Sequence, residues 1–262
     1  MKRSIIIFFL LFSLLSCRGQ DFIEWVQSGA ATPCTEGYSL SYNSYAITDS
    51  RLISSSSDWV VPTLGNYQAL ANTLGASNNY TSNTISGKLK ETGFTYWDSP
   101  NSGATNESGF NGKGTFERDG TAGTFSVLKR GLKLWTRSPV STTGFYTAAM
   151  VYNNTTFICA SQFQYHPHGL SIRLLYTGAG TPTSYTGNDG RAYRIVLIGT
   201  QYWLADNLRE TKFRNGDIIP YHGADNTSNF TNAEWAALTT AGVCAYNNDV
   251  ANVGCDFTFP TE

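Results

Sequence analysis

The sequence predicts an α+β fold built from two short helices, a small antiparallel sheet and long ordered loops. Apolar residues recur at helical spacing between Leu64 and Leu74, which indicates an amphipathic helix. Short apolar segments bounded by turn-forming residues follow one another from 131 to 175, a pattern typical of an antiparallel meander. Between these regions, residues 98–109 are mostly Ser, Pro, Asn, Gly and Thr and lie between aromatic residues. Such a segment predicts consecutive turns that a rigid fold must hold in place.

The first residues predict export. Two cationic residues precede the apolar run Ile5–Leu15, whose eleven residues are too few to span a bilayer comfortably but suit a signal peptide. The run ends in Leu-Leu-Ser-Cys17, which resembles a bacterial lipobox, so we expect 1–17 to be a lipoprotein signal peptide and Cys17 to carry lipid. An ordinary secretory signal is the alternative. We therefore expect a cell-envelope lipoprotein of the outer membrane or cell surface, held to the membrane by its lipid alone, with 18–36 as a tether.

Four further cysteines, Cys34, Cys159, Cys244 and Cys255, predict two disulfides, because an exported chain folds in an oxidising compartment. Their spacing leaves three connectivities open. No Cys-x-x-Cys motif is present, which argues against a structural zinc site.

The first elements can be taken in order from residue 38. Residues 38–47 alternate loosely between apolar and polar side chains and predict a half-buried strand. Pro62 favours extended backbone before it, and Thr63 is a suitable N-cap for the helix that ends near Gly75.

A second short amphipathic piece precedes residues 98–109, which we call the polar loop. Leu89 is expected to point inward and Lys88 and Lys90 outward, and Gly93 can adopt the left-handed conformation that ends the piece. The aromatic residues expected to anchor the loop are Phe94, Tyr96, Trp97 and Phe110.

The rest of the chain predicts strands, a linker and a second helix. The strands are expected at 131–136, 147–152, 156–162, 170–175 and 194–198. Residues 177–189 have the composition of a flexible linker. Thr231 and Glu234 form a capping box ahead of a short helix.

The polar loop and its flanks resemble the Fibrobacter succinogenes major paralogous domain. The matching segments are Lys88–Glu91, Trp97, Ser99–Asn101, Gly103–Asn106 and Ser108–Phe110. Residues 59–63 match the family pattern well, 170–173 match its terminal motif, and 42–46 resemble it with Ser44 in place of the family's Trp. The resemblance implies a C-type-lectin-like fold for residues 37–176.

Residues 189–249 resemble the opening part of the same family pattern, notably at 199–208 and 245–249. The two parts are in reversed order in this chain. Residues 190–262 are therefore either a truncated second module or the completion of a circularly permuted single domain.

The permutation hypothesis makes specific predictions. Val196 and Trp203 should pack with the 38–175 core, and a disulfide between Cys34 and Cys255 should tie the new ends together. Cys159 and Cys244 would then pair or remain buried. The truncated-module hypothesis expects few contacts between 189–262 and the first part.

Charge and motifs narrow the function. A net charge of −1 without clustered Lys and Arg gives no basis for nucleic-acid binding. No hydrolase, metalloprotease or phosphate-loop motif is present, so we expect no catalysis and no cofactor.

Two groups of residues are candidate metal ligands. The pair His166 and His168, with His222 as a third nitrogen, is weighed against an exposed turn. The loop oxygens of Asp98, Asn101, Asn106 and Glu107 suit Ca²⁺, but the sugar-binding motifs of C-type lectins are absent, so a loop satisfied by its own hydrogen bonds is preferred.

A recognition surface is the leading functional hypothesis. Aromatic residues combined with adaptable polar groups are typical of loop-built binding sites for a protein or glycan ligand. The candidates are Trp135, Arg137, Tyr146, Tyr152, Asn153, Asn154, Tyr165 and His166. The alternatives are a structural or adhesive module, prophage-derived or diversified by a retroelement, and, third, an enzyme.

Overall fold

The computed structural model describes residues 37–76, 84–159, 163–221, 223, 229–254 and 257–260. All of these residues belong to one compact unit, Glu36–Glu262. The expectations for the signal peptide, the tether, Cys17, Cys34 and Cys255 lie outside the described residues.

Helices are few and short. The described ranges contain four α-helices, not the two expected: α1 (Ser44–Thr48), α2 (Leu64–Thr73), α3 (Ser86–Leu89) and α4 (Asn232–Ala236). Single 3₁₀ turns follow at Tyr246–Asn248 and Val250–Asn252. The two predicted helices, α2 and α4, are both confirmed.

Both predicted helices begin with a complete capping box. The Thr63 hydroxyl accepts from the Asn66 N–H at 3.2 Å, and the Asn66 side chain accepts from the Thr63 N–H at 2.8 Å. Thr231 and Glu234 make the same reciprocal pair, at 3.2 and 2.8 Å. Two orphan N–H groups are satisfied at each helix start, which explains why so few residues suffice.

The strand expected at 38–47 is reduced to two residues and is followed by a helix. Only Ser41–Tyr42 is extended, as β1, and α1 follows immediately. The reason is Asn43, whose side-chain oxygen accepts from the Ala46 N–H at 3.2 Å and from the Gly242 N–H at 3.0 Å. The side chain thus starts a helix and binds a distant loop at once.

The strands are short apart from one hairpin, and every pair is antiparallel. They are β1 (Ser41–Tyr42), β2 (Trp59–Val60), β3 (Gly131–Ser141), β4 (Gly144–Val151), β5 (Phe157–Ile158), β6 (Phe163–Tyr165), β7 (Leu175–Tyr176), β8 (Tyr185–Thr186), β9 (Ala192–Tyr193), β10 (Ile195–Ile198), β11 (Gln201–Leu204) and β12 (Val243–Cys244). The sheets are β1-β12, β10-β11-β7-β2, β3-β4-β5 with β6 also on β4, and β8-β9. The structure therefore has several small sheets instead of the single one expected.

The β3–β4 hairpin lies between two hydrophobic cores. On one face, Leu134 and Met150 pack with the buried side of α2. On the other face, Trp135 and Phe145 pack with the core that includes Tyr42. A strand that is buried on both faces is apolar without alternation, and this explains the continuous run at 148–150.

The C-terminal segment packs on the first part of the chain. Trp203 in β11 pairs with Leu175 in β7, and its ring lies 5.1 Å from that of Tyr67 and 5.8 Å from that of Phe110. Val196 packs against the same core. The packing expected for Val196 and Trp203 is therefore confirmed.

The segment 177–189 is not a linker throughout. Its second half contains β8, and Tyr185 is buried between Trp59 and Tyr193, with ring centroids 5.1 and 5.6 Å away. The Ser55 N–H also donates to the Tyr185 hydroxyl at 3.1 Å. The composition of this segment predicted flexibility because Gly, Thr and Ser predominate in it, and one aromatic residue among them does not indicate that the segment is buried.

The polar loop is held from inside by Lys90. We expected this side chain to point outward, but it is completely buried. Its Nζ donates to the carbonyl oxygens of Ser102, Val151 and Asn154 at 2.8, 3.2 and 2.9 Å. Three acceptors match the three donors of an ammonium group, so the charge is buried with its hydrogen bonds complete.

Aromatic anchoring of the loop is only partly as expected. Trp97 is completely buried, and its Nε1 donates to the Gly112 carbonyl at 2.9 Å. Tyr96 and Phe110 are also buried, whereas Phe94 is 58% exposed. Gly93 has a φ of 81°, the left-handed conformation predicted for it.

Two buried arginines join distant segments. Arg173 donates to the carbonyl oxygens of Phe110 and Leu204 and to the Asn207 side chain. Arg118 donates to the carbonyl oxygens of Gly123, Phe230 and Thr231 and to the Asn248 side chain. Burial lowers the pKa of Arg173 to about 10, which leaves it charged at neutral pH.

Cys159 and Cys244 are both buried in different core clusters and are not joined to each other by a disulfide. Neither residue takes part in a disulfide, so the prediction of two disulfides is wrong. Of the two outcomes expected for this pair, burial is the one observed. Burial raises the pKa of both thiols to about 12, so neither is a reactive thiolate at neutral pH.

Candidate functional site

The predicted binding residues lie at opposite ends of β4. Tyr146 and Tyr165 are at its start, where β6 pairs with it, and Tyr152 follows its last residue. Six residues of extended chain correspond to roughly 20 Å, so these groups cannot contact one small ligand together. The single surface expected from the sequence is therefore two surfaces.

Trp135 belongs to neither surface. Its side chain is completely buried, its Nε1 donates to the Tyr42 carbonyl at 2.7 Å, and its ring meets that of Phe145 edge-on at 6.5 Å. This candidate is a core residue. Its position in β3 gave no warning, because an aromatic residue in a strand suits either face.

His166 is occupied by structural contacts. A carbonyl can only accept, so Nε2 donates to the Thr142 oxygen at 2.8 Å, and Nδ1 then accepts from the Ser44 hydroxyl at 2.8 Å. The ring also stacks on Tyr45, with centroids 4.9 Å apart. His166 fixes the chain next to β6 and has no nitrogen left for a ligand.

A metal site at the histidines is not formed by the described residues. Nε2 of His168 lies 3.5 Å from the Asp119 carboxylate, and burial lowers the pKa of His168. Within the ranges given above, no three His, Cys, Asp or Glu side chains are grouped to hold a metal ion. His222, the expected third ligand, lies outside those ranges.

The four loop residues considered for Ca²⁺ each contact a different neighbour. Asp98 pairs with Arg130 at 3.3 Å and Glu107 with Lys88 at 3.1 Å. The Asn106 and Asn111 side chains bond at 3.2 Å, and Asn101 donates to the carbonyl oxygens of Glu91 and Gly93, both at 2.9 Å. These side chains hold the loop together.

The first surface, which we call the aromatic end, consists of Arg137, Tyr146, Phe163 and Tyr165. Phe163 and Tyr165 alternate along β6, are 44% and 52% exposed, and lie with their ring centroids 5.9 Å apart. Phe163 pairs directly with the half-buried Tyr146, and Arg137 is exposed on the neighbouring strand. Sequence reasoning missed Phe163, although the Phe-Gln-Tyr alternation of β6 was a signal for it.

The second surface, the groove end, contains Tyr152, Asn153 and Asn154. The guanidinium of Arg130 lies 5.8 Å from the Tyr152 ring centre. A shallow groove of about 230 Å³ lies beside it, with Val127 and Val151 among its lining residues. Asn154 is partly structural, since its carbonyl binds Lys90 and its side chain accepts from the Thr156 N–H at 2.9 Å.

A third feature was not predicted at all, namely a cleft of about 560 Å³ between 189–192, 211–212 and 257–260. Behind it lies Glu210, which is completely buried. One of its oxygens accepts from the N–H groups of Asn188 and Asp189 at 2.8 and 3.3 Å, and the other has no hydrogen-bond partner among the described residues. Burial, with the nearby Asp189 charge, raises the pKa of Glu210 to about 8.

Comparison with known proteins identifies the family. A family model described as the Fibrobacter succinogenes major domain matches residues 19–175. The match includes the polar loop, the β3–β4 hairpin and the aromatic end, and it stops before 189–249, where a further resemblance was expected. Comparisons with curated proteins and with solved structures gave no match. Among the described residues, no helix has the length and apolar character to cross a bilayer.

Proposed function

The chain belongs to the Fibrobacter succinogenes major domain family, and from this premise we propose that it is a non-catalytic ligand-binding module of a bacterial cell-envelope lipoprotein. The single observation that carries the binding role is the aromatic end. Exposed aromatic residues scattered singly are ordinary, whereas adjacent ones on one sheet face are typical of recognition surfaces.

The ligand that fits the aromatic end best is a glycan. The exposed rings of Phe163 and Tyr165 present a broad apolar area at the surface. A sugar can place its C–H groups against such rings while its hydroxyls stay hydrated or bond to Arg137 and Tyr146. A protein ligand is the other outcome of the test below.

The finer fold assignment is part of this proposal. The α+β composition, the small antiparallel sheets and the long ordered loop support a C-type-lectin-like fold. Circular permutation is supported by the pairing of β7 with β11 and of β1 with β12, because both pairs join a strand of 189–262 to a strand of the first part of the chain.

The binding experiment compares the loss of aromatic rings at the aromatic end with the loss of an aromatic ring elsewhere. Soluble chain lacking 1–17 is applied to a glycan and protein array, and affinities for any hit are measured by calorimetry. We expect a glycan hit whose affinity falls about tenfold or more in the double variant Phe163→Ala/Tyr165→Ala. The control is Phe94→Ala, which removes an aromatic ring of similar exposure elsewhere on the surface. Unchanged affinity in the double variant would rule out the aromatic end.

The envelope assignment has a separate test. Lipid on Cys17 supplies the anchoring, so Cys17→Ala should move the protein from the detergent-extracted membrane fraction to soluble or unprocessed material. Fractionation with an untouched lipoprotein as internal control measures this. A variant that still fractionates with the membrane contradicts the lipoprotein assignment but leaves the binding proposal standing.

A structural or adhesive module is the second candidate, favoured by the position of β6. Among the described strands, β6 pairs with β4 alone, and it carries two exposed aromatic rings, so its second edge is the one on which a partner strand could pair. Light scattering on the soluble chain decides this alternative. A stable oligomer that the double variant dissociates supports assembly, and a monomer supports ligand binding.

A further inference from the structure

We propose that the cleft between 189–192, 211–212 and 257–260 is a second, independent binding site, and that its ligand is a small hydroxylated carboxylate of the uronic-acid class. The cleft shares no residue with the aromatic end. Its volume of about 560 Å³ lies in the range of small-molecule sites and exceeds that of the groove beside Tyr152.

The walls of the cleft are fixed by hydrogen bonds before any ligand arrives. The Asn188 side chain donates to the carbonyl oxygens of Ile53 and Lys212 at 2.8 and 2.9 Å, which ties the first wall to the second. The Tyr221 hydroxyl donates to the Pro260 carbonyl at 2.7 Å, and its ring stacks on Phe259 with centroids 3.9 Å apart. The third wall is thus held as well, and little ordering is left for the ligand to impose.

The charge of the lining selects an anion. Among the described lining residues, Arg191 and Lys212 contribute two positive charges, and Asp189 contributes one negative charge. Asp189 is occupied locally, because its carboxylate accepts from the Arg191 N–H at 3.2 Å and from the Thr211 hydroxyl at 3.4 Å. Among the described residues, no ion pair is recorded for Lys212, so its ammonium is the group we expect to meet a carboxylate.

The buried acid behind the wall does not cancel this charge. Because the pKa of Glu210 is raised to about 8, its carboxyl is mostly protonated at neutral pH. The net positive character of the lining therefore persists under physiological conditions.

The remaining lining fits the rest of a sugar acid. Thr258 offers an exposed hydroxyl, and the half-buried Pro260 offers apolar surface on the same wall. A pyranose ring presents the matching combination of hydroxyl groups and C–H faces. A bare inorganic anion would leave this wall unused.

The test is titration calorimetry of the soluble chain with D-glucuronate, D-galacturonate, D-glucose and inorganic phosphate. We expect one of the two uronates to bind and glucose to bind at least tenfold more weakly, because glucose lacks the carboxylate. Lys212→Gln should weaken uronate binding about tenfold or more. The matched control, Lys88→Gln, removes a lysine that pairs with Glu107 outside the cleft and should leave binding unchanged.

A second variant keeps the proposal testable if Lys212→Gln alters folding. Ala192 is exposed and lines the cleft, so Ala192→Glu adds a negative charge there without disturbing the core. It should abolish uronate binding while thermal melting stays unchanged.

The proposal is overturned if neither uronate binds, if glucose binds equally well, or if both cleft variants bind like the control. Equal binding of phosphate would overturn the sugar-acid assignment. Uronate binding by the Phe163→Ala/Tyr165→Ala variant is expected to be normal, which separates this test from that of the aromatic end.

Discussion

Lys90 under the polar loop and Glu210 behind the cleft are both completely buried ionisable groups. At neutral pH, their surroundings leave Lys90 charged and Glu210 mostly neutral. Lys90 donates to three carbonyl oxygens and stays charged at neutral pH, since burial lowers its pKa only to about 8. Glu210 has donors for one oxygen only and is held neutral. The loop is thus organised around a satisfied charge, whereas the cleft wall covers a group that its surroundings do not satisfy.

The difference teaches where each region can tolerate change. In the loop, the cation and its acceptors form one unit, so removing any part leaves a buried charge or buried carbonyls without partners. Near the cleft, replacing the Glu210 carboxyl by a group that cannot ionise removes the cost of a buried negative charge at high pH. Substitutions should therefore destabilise the loop and stabilise the cleft region.

The largest expected effect is in the loop region. Trp97→Ala should lower the free energy of unfolding by roughly 3–5 kcal/mol, because it removes a buried ring and one of the two hydrogen bonds to the Gly112 carbonyl. Chemical denaturation measures the loss. Phe94→Ala, three residues away and exposed, is the control and should change stability by less than about 0.5 kcal/mol. Equal effects of the two variants would show that the loop is not anchored as described.

The next effect concerns the pH dependence of the cleft region. The pKa of Glu210 is raised from 4.5 to about 8 in the folded protein. The free energy of unfolding is therefore highest below pH 4.5, where Glu210 is protonated in both states, and it falls as the pH rises towards 8. At about 1.4 kcal/mol per pH unit, the loss at pH 7 is on the order of 3 kcal/mol. Glu210→Gln should remove this slope and be more stable than the natural chain at pH 8.

Denaturation curves at several pH values between 4.5 and 8.5 decide the Glu210 prediction. Asp189→Asn is a useful comparison, because it removes the neighbouring charge but keeps the Glu210 carboxyl, and should reduce the slope only partly. If the natural chain and Glu210→Gln lose stability in parallel over this range, the carboxyl is not buried in its neutral form.

A smaller effect is expected at Asn101. Its amide donates to the carbonyl oxygens of Glu91 and Gly93, and its φ of 41° is in the left-handed region that Asn tolerates better than Ala. Asn101→Ala should therefore cost about 1–3 kcal/mol. Asn101→Gly, which relieves the backbone but also lacks the amide, separates the two contributions. A melting temperature unchanged in both variants would contradict this part of the comparison.

The smallest effect tests a helix that the sequence predicted. Thr63→Ala removes one half of the α2 capping box and should cost about 1 kcal/mol. Thr63→Ser keeps the hydroxyl and should be nearly neutral. A thermal melt that ranks Ser with Ala would show that the cap hydrogen bonds do not contribute.

Local signals explain what could be predicted from the sequence. The helices α2 and α4 begin with capping boxes a few residues long, and Gly93 is in the conformation that its lack of a side chain suggested. The β3–β4 hairpin was recognised from its apolar runs, although it is longer than predicted. Each of these features is decided by residues close together in the chain.

What could not be predicted depends on residues far apart in the chain. Lys90 is buried because Val151 and Asn154 bring acceptors from more than sixty positions away. Trp135 is buried because the carbonyl of Tyr42 meets its indole across a separation of 93 residues. No pattern around either residue carries this information, and the same holds for Glu210, whose burial requires the turn at 188–189.

The pairing of β1 with β12 has a consequence for how the chain comes to be folded. Asn43 accepts from the Gly242 N–H across 199 residues, so the start of the fold cannot close until almost all of the chain has been made. At the usual speed of synthesis, about 5–20 residues per second, β1 waits roughly 10–40 s for its partner. Contacts between residues this far apart in the chain also slow folding, because the entropy cost of closing the loop comes before the stabilisation from strand pairing. During that interval, the apolar side chains of the early segments, including Tyr42 and Trp59, need protection from aggregation. β12, the last strand of the described residues, is then the one that completes the fold.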